Sequence, residues 1–122
     1  MNGHVASSIS YLNIGGLYYS LNWFVFCYSS LETIKFATQI TKMNLYSMGE
    51  TDQATAENFL KRANAYMAHY FPSFLPAVII PRKDPFLILD REEGFYKILY
   101  GGKIGYIQAL SLFKLRESVE RI

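Results

Sequence analysis

The sequence predicts a mostly α-helical chain in which one N-terminal transmembrane helix continues into an amphipathic helix. Three observations lead to this fold class: the distribution of charge, the length of the uncharged opening stretch, and the clustering of the prolines. Every Asp, Glu, Lys and Arg of the 122-residue chain lies at Glu32 or beyond it. A chain of this length suffices for one compact unit and not for two. We therefore expect residues 1–122 to form a single membrane-anchored unit.

The opening stretch, residues 9–31, has the length of a membrane crossing. As a helix it would rise about 35 Å at ~1.5 Å per residue, against roughly 30 Å of hydrocarbon in a bilayer. A soluble helix seldom runs this far without a charge on its solvated side. We therefore predict a transmembrane helix over 9–31. A buried helix of a soluble domain and a secretory signal peptide are the alternatives.

Small residues follow one side of this predicted span. Residues spaced four apart lie on the same side of a helix, and small side chains there let another helix approach closely in lipid. The predicted helix-packing face consists of Ser8, Leu12, Gly16 and Ser20.

Residues 32–71 carry an amphipathic, helical pattern. The first predicted helix runs without interruption from about residue 8 to residue 47, and a second, surface helix covers about 52–70 with Thr51 as its N-cap. Lys35 and Lys42 follow the predicted span directly, so we expect them to contact lipid headgroups. They also place the C-terminal part on the cytoplasmic or matrix side of the membrane.

The prolines fall close together and exclude helix from the next segment. Each ring removes a backbone donor and restrains the residue before it. Apolar residues between the prolines need cover, so we predict an extended segment over 72–94 that lies along a partner surface; a small pair of strands is the alternative. The four prolines are Pro72, Pro76, Pro81 and Pro85.

The last part of the chain fits two structures. Residues 95–108, divided by Gly101 and Gly102, match a β-hairpin with a two-residue turn. The same residues also suit a helix, and we favour a helix that begins only after Gly105. Its apolar stripe then predicts a C-terminal amphipathic helix. The stripe comprises Gln108, Leu112, Leu115, Val119 and Ile122.

No motif in the chain indicates chemistry. Cys27 is the single cysteine and lies in the apolar stretch, so we interpret it as a buried, unreactive side chain. The two histidines, His4 and His69, have no metal-ligand spacing. Gly101–Gly105 lacks the spacing of a phosphate-binding loop. We therefore predict no catalytic residue, no cofactor and no metal site, and the net charge of +2 argues against nucleic acid as a partner.

In overall plan, with one semi-polar span, a small-residue face and no chemical motif, the chain resembles the accessory (supernumerary) subunits of mitochondrial inner-membrane assemblies, namely respiratory-chain complexes or the ATP synthase. The resemblance implies a non-catalytic role in stabilising assembly at the mitochondrial inner membrane. It also implies other subunits and membrane lipid as partners, and no small-molecule substrate. The alternatives are a soluble helical protein-interaction module with a buried N-terminal helix, and a small enzyme or ligand-binding domain with an aromatic pocket.

Overall fold

The computed structural model describes residues 12–41, 52–108 and 119–122. Within these ranges the chain is mostly β: seven strands form one antiparallel sheet that curves into a half-barrel, with two α-helices beside it. The helices are α1 (Leu31–Thr41) and α2 (Gln53–Tyr70), followed by a 3-10 turn at Pro72–Phe74. The strands are β1 (Leu17–Ser20), β2 (Phe24–Tyr28), β3 (Val78–Pro81), β4 (Pro85–Glu92), β5 (Phe95–Tyr100), β6 (Lys103–Gln108) and β7 (Val119–Arg121). Their order across the sheet is β3-β2-β6-β5-β4-β1-β7.

Two bent segments form the frame of the half-barrel. β1 leads into β2 and β3 leads into β4, and the two segments pair antiparallel on both sides of the bend. Tyr19 lies opposite Pro85 before the bend, and Phe24 lies opposite Pro81 after it. The hairpin β5–β6 then joins β2 to β4, because β6 pairs with β2 and β5 pairs with β4.

The two connections at the bend, residues 21–23 and 82–84, lie side by side. The backbone N–H of Arg82 donates to the carbonyl of Trp23 (3.1 Å), and that of Lys83 donates to the carbonyl of Ser20 (2.9 Å). The Arg82 guanidinium also lies 4.3 Å from the centroid of the Trp23 ring. A cation over an aromatic face is attracted to it, so this contact adds to the backbone hydrogen bonds that join the two connections at the bend.

Two-residue turns connect β4 to β5 and β5 to β6. Glu93 and Gly94 have φ of 51° and 86°, and Gly101 and Gly102 have φ of 57° and 77°. Positive φ at both central residues is the turn geometry that matches the twist of paired strands, and glycine adopts it without strain. Of the two structures open for residues 95–108, the chain therefore forms the hairpin, and the preference for helix was wrong.

The transmembrane helix predicted over 9–31 is wrong, and with it the mostly α fold class. Residues 17–28 form β1 and β2, for which their aromatic and β-branched side chains are suited. Strand β2 is covered on both faces, and its sequence is therefore an uninterrupted apolar run. The missing charge in β2 thus reflects burial inside the protein. No helix in the described ranges is both long enough and apolar enough to cross a bilayer.

The predicted helix-packing face is not a face of any helix. Leu12 is buried in the half-barrel, where its N–H donates to the Tyr96 hydroxyl (2.8 Å). Gly16 closes a turn through its N–H to the carbonyl of Asn13 (2.9 Å), and Ser20 ends β1. The fourth residue, Ser8, lies outside the described residues.

The helix prediction for residues 32–71 is confirmed in part. α1 begins at Leu31, so the continuous helix from residue 8 is wrong, and its predicted end near residue 47 lies outside the described ranges. α2 matches the predicted surface helix. Its N-cap is Asp52, whose Oδ1 accepts the N–H of Thr55 (2.8 Å), and not the predicted Thr51.

The two remaining segments contain strands. The segment predicted to be extended over 72–94 begins with the 3-10 turn Pro72–Phe74 and continues into β3 and β4, in line with the strand alternative; both strands belong to the sheet and pair with β2, β1 and β5. The C-terminal helix predicted after Gly105 is wrong at both ends, because Gln108 ends β6 and Val119 begins β7. Leu112 and Leu115 lie outside the described residues.

Two groups of buried side chains flank the sheet. Alternate residues of a strand point to opposite faces, so β2 and β5, which are covered on both sides, contribute to both groups. The inner core fills the half-barrel and comprises Leu12, Tyr18, Val25, Cys27, Ile80, Phe86, Ile88, Tyr96, Ile98, Ile107 and Val119. The helix-facing core lies under α1 and α2 and comprises Phe26, Tyr28, Ile34, Ala37, Ala63, Met67 and Phe95.

Candidate functional site

The half-barrel is open where β2 ends and the β5–β6 hairpin turns, and a cavity of about 440 Å³ lies there. Its lining comes from β2, β3 and the hairpin, so the fold brings together residues from three separate parts of the chain. The residues that determine its character are Cys27, Val78, Tyr100, Lys103, Ile104 and Gly105.

The floor of the cavity is formed by Cys27 and Gly105 from the paired strands β2 and β6. A Cβ at Gly105 would collide with the Cys27 Sγ and lie 3.1 Å from the carbonyl oxygen of Tyr28, so only glycine fits there. Cys27 is 3% exposed, and burial raises the pKa of its thiol to about 11. The thiol is therefore protonated at neutral pH and acts as a small apolar group.

One wall of the cavity is the ring of Tyr100. Its hydroxyl donates to the Asp84 Oδ2 at 2.7 Å, which ties the end of β5 to the β3–β4 connection. Burial, with a smaller contribution from the bond to Asp84, raises the pKa of Tyr100 to about 12. The hydroxyl therefore stays protonated, and its bond holds the ring in one position.

The rim of the cavity is more exposed and carries its charge. Ile104 is 54% exposed, and Lys103 lies beside it at the start of β6. Lys103 is the one charged side chain among the residues that line the cavity in the described part of the chain. The cavity therefore has an apolar interior and a positively charged entrance.

A second feature, at the C-terminal end of α2, is a group of aromatic rings that we call the aromatic surface; its members are Tyr66, His69, Tyr70 and Phe71. The rings of Tyr66 and Tyr70 lie 5.0 Å apart, and His69 meets Tyr70 edge-on at 4.5 Å. Tyr66 also lies 5.9 Å from Phe71. These distances are those of interacting aromatic pairs, so the four rings form one continuous patch.

The aromatic surface stays open because the helix buries a different side. Ala63 and Met67 face the sheet and are buried, whereas Tyr66 and Tyr70 are 45% and 62% exposed. No Asp or Glu lies between Glu57 and Asp84 in the sequence. Arg62 precedes Tyr66 by one helical turn and lies on the same side of α2, so it places positive charge at the edge of the aromatic surface.

The lysines predicted to contact lipid have a different setting. The Lys35 Nζ lies 3.1 Å from the Glu93 Oε1, which joins α1 to the β4–β5 turn through an exposed ion pair. Lys42 lies outside the described residues. The lipid prediction depended on a transmembrane helix ending near Glu32, and the fold contains strands in its place.

Sequence reasoning separated residues that the fold brings together. Cys27 and the Gly101–Gly105 turn, which are distant in the sequence, both contribute to one cavity. The available signal is the β propensity of the aromatic and β-branched side chains beside each. What no local pattern shows is that Cys27 pairs with Ile107, which places Gly105 beside it. No group of three His, Cys, Asp or Glu side chains placed to hold a metal ion occurs in the ranges described.

Comparison with known protein families, with curated proteins and with solved structures finds no match for this chain.

Proposed function

We propose that this protein is a non-catalytic interaction module, an accessory chain that binds another protein through the aromatic surface. One observation carries the proposal: Tyr66 and Tyr70 stack at 5.0 Å on the outer side of α2 and remain 45% and 62% exposed. The proposed role keeps the accessory role expected from the sequence. It leaves out the expected transmembrane anchor, because the fold contradicts that anchor.

Exposed tyrosines of this kind are typical of protein interfaces. Tyr and Trp contribute much of the binding energy of interfaces, because a large, stiff side chain buries much surface at a small cost in side-chain entropy. Here the rings already support one another, so Tyr66 and Tyr70 lose little further freedom on binding. The packing among them therefore favours an apolar partner surface.

The charge around the aromatic surface indicates the chemistry of the partner. Arg62 lies one turn before Tyr66 on the same side of α2, and no Asp or Glu follows it in the sequence until Asp84. Complementary charge at the rim of an interface steers association and selects the partner. We expect a partner protein that presents apolar side chains bordered by Asp and Glu.

Site-specific crosslinking in the native cells tests the proposal. A photoreactive phenylalanine analogue at position 70 is expected to crosslink to a distinct protein, whereas the same analogue at position 36 is not. Phe36 is a matched control because it is an aromatic side chain with the same exposure as Tyr66, 45%, on the other helix, α1. The crosslinked protein is identified by mass spectrometry and then purified.

Binding of the purified partner supplies the decisive measurement. The double variant Tyr66→Ala/Tyr70→Ala should weaken the affinity by at least about tenfold, since truncation of central aromatic residues commonly costs 2 kcal/mol or more. Phe36→Ala should leave the affinity unchanged. Equal affinity of the double variant and the unaltered chain would contradict the proposal, as would crosslinks from position 70 to a second copy of this chain alone.

A further inference from the structure

We propose that the cavity at the open end of the half-barrel binds a small molecule with an apolar body and one anionic group. The apolar body would lie over Gly105 between Val78 and Tyr100, and the anionic group would meet Lys103 at the rim. This site lies on the sheet and is separate from the aromatic surface on α2, so it goes beyond the proposed interaction role and beyond the partners expected from the sequence.

The size and shape of the cavity suit a small molecule. Small-molecule sites are concave, mostly apolar and roughly 300–1,000 Å³ in volume, and this cavity measures about 440 Å³. Its depth depends on Gly105, because any side chain there would enter the space beside Cys27. Val78, Ala77 and Ile104 supply apolar sides, which is the surface that an aromatic or aliphatic body would cover.

The interior of the cavity is rigid, and the side chains that line it carry no charge. The Tyr100 hydroxyl donates to the Asp84 carboxylate at 2.7 Å, so the ring that lines the cavity is held in one position. At the floor the buried Cys27 thiol is protonated at neutral pH, which leaves no charge for a ligand to neutralise. A charged group of a ligand would therefore lose its water at the floor without compensation, and it belongs at the rim.

The rim determines the sign of that charged group. Lys103 is the one charged side chain among the lining residues in the described part of the chain, and its position at the first residue of β6 puts it at the entrance. An ammonium group at the mouth of an apolar cavity attracts a carboxylate, sulfonate or phosphate and repels a cation. The geometry thus orients the ligand with its apolar body inward and its anionic group outward.

Two fluorescent dyes that share one body test this arrangement. The first is 8-anilinonaphthalene-1-sulfonate, which has an apolar two-ring body with a phenyl arm and one anionic group. The second is N-phenyl-1-naphthylamine, which has the same body without the sulfonate. Titration of the folded protein should give saturable binding of both dyes at one site, with the sulfonate dye bound more tightly.

Variants locate the site and separate its two parts. Val78→Trp fills the side of the cavity and should weaken both dyes by about tenfold or more, since it displaces the apolar body. Lys103→Glu should weaken only the sulfonate dye, by about three- to tenfold, whereas Lys103→Arg should keep its affinity. Lys61→Glu, the same charge change on α2, is the matched control and should have no effect.

The aromatic surface is the competing site for these dyes, so it is tested directly. Tyr66→Ala/Tyr70→Ala should leave the binding of both dyes unchanged. Circular dichroism and thermal unfolding of each variant show that dye is bound by folded protein. The proposal is overturned if Val78→Trp binds both dyes as the unaltered chain does, if Lys103→Glu and Lys61→Glu behave alike, or if the unaltered chain binds neither dye.

Discussion

Gly105 lies beside Cys27 so closely that the thiol occupies the space in which a side chain at position 105 would begin. The two residues belong to β2 and β6, which pair with Cys27 opposite Ile107 and Tyr28 opposite Tyr106. The contact therefore joins the N-terminal strands to the hairpin and forms the floor of the cavity. Stability and site geometry depend on the same pair of residues.

We predict that Gly105→Ala lowers the free energy of unfolding by about 1–3 kcal/mol, the usual cost of inserting a methyl group into a packed interior. Adding Cys27→Ala removes the Sγ with which the new methyl group collides, so the double variant should lose less than the two single variants together. Urea unfolding of the four proteins measures this coupling.

Gly94→Ala is the control for this cycle. Gly94 has φ of +86°, so alanine is strained there, but its Cβ would have no atom within 4 Å. Its cost should add to that of Cys27→Ala without coupling. Simple additivity for Gly105→Ala as well would show that the collision is relieved elsewhere and would contradict the prediction.

We predict that stability falls as the pH rises above 9. In the folded chain burial raises the pKa of Cys27 from 9.0 to about 11, so between these values the unfolded chain binds fewer protons than the folded chain. The stability that the thiol contributes is complete below pH 9 and is lost progressively up to pH 11, by roughly 2 kcal/mol. Burial likewise raises the pKa of Tyr28 and of Tyr100, whose effects begin above pH 10.

Cys27→Ser isolates the contribution of the thiol because serine does not titrate in this range and the tyrosines remain. Free energies of unfolding of the unaltered chain and of Cys27→Ser, measured from pH 8 to pH 10.5, should differ in slope, with the steeper fall in the unaltered chain. Parallel curves would show that the thiol does not titrate as its burial requires.

We predict opposite outcomes for two buried tyrosines. The Tyr96 hydroxyl accepts the N–H of Leu12 at 2.8 Å, so Tyr96→Phe leaves a buried donor unpaired and should cost about 1–3 kcal/mol. The Tyr28 hydroxyl is also buried but has no hydrogen-bond partner within the described part of the chain. Tyr28→Phe should therefore be neutral or raise stability by up to about 1 kcal/mol.

Thermal and urea unfolding of these two variants provide the comparison, and each is the control for the other because the same atom is removed from a fully buried ring. A loss of stability in Tyr28→Phe as large as that in Tyr96→Phe would mean that the Tyr28 hydroxyl is paired, and would reject the prediction.

We predict that the fluorescence of Trp23, the single tryptophan, reports on the bend at which residues 21–23 and 82–84 lie side by side. Arg82→Gln removes the guanidinium that lies 4.3 Å from the ring centroid and should cost about 0.5–1 kcal/mol. It should also change the emission of Trp23. Lys83→Gln is the matched control, because Lys83 contacts the other connection through its backbone N–H, which donates to the Ser20 carbonyl, and this variant keeps that bond. Unchanged emission in Arg82→Gln would exclude the ring contact in solution.

Helix α2 is the element that the sequence predicts best, and the reason is local. Residues 53–70 contain good helix formers between the Asp52 cap and Pro72, and both boundary signals act within one turn. The hairpin at 95–108 was less certain from the same kind of information. Gly101 and Gly102 suit its turn, but the choice against helix depends on β5 and β6 pairing with β4 and β2.

The opening stretch shows why the fold class was mistaken. An uncharged apolar run suits lipid on all sides of a helix and equally suits a strand covered on both faces. What distinguishes the two here is that Val25 lies opposite Ile80 and that the residues between them in the sequence provide α1 and α2 as cover. Those contacts join distant parts of the chain, so the periodicity within the run cannot show them.

By itself the sequence determined the surface helix α2 and the non-helical character of the proline-rich segment, because helix propensity and the restraints of proline act over a few residues. Only the tertiary structure decided that the apolar opening is a pair of strands, and that Cys27, Tyr100, Lys103 and Gly105 share one cavity. Strand register sets those neighbours, and register is a property of two segments together, so neither segment contains it alone.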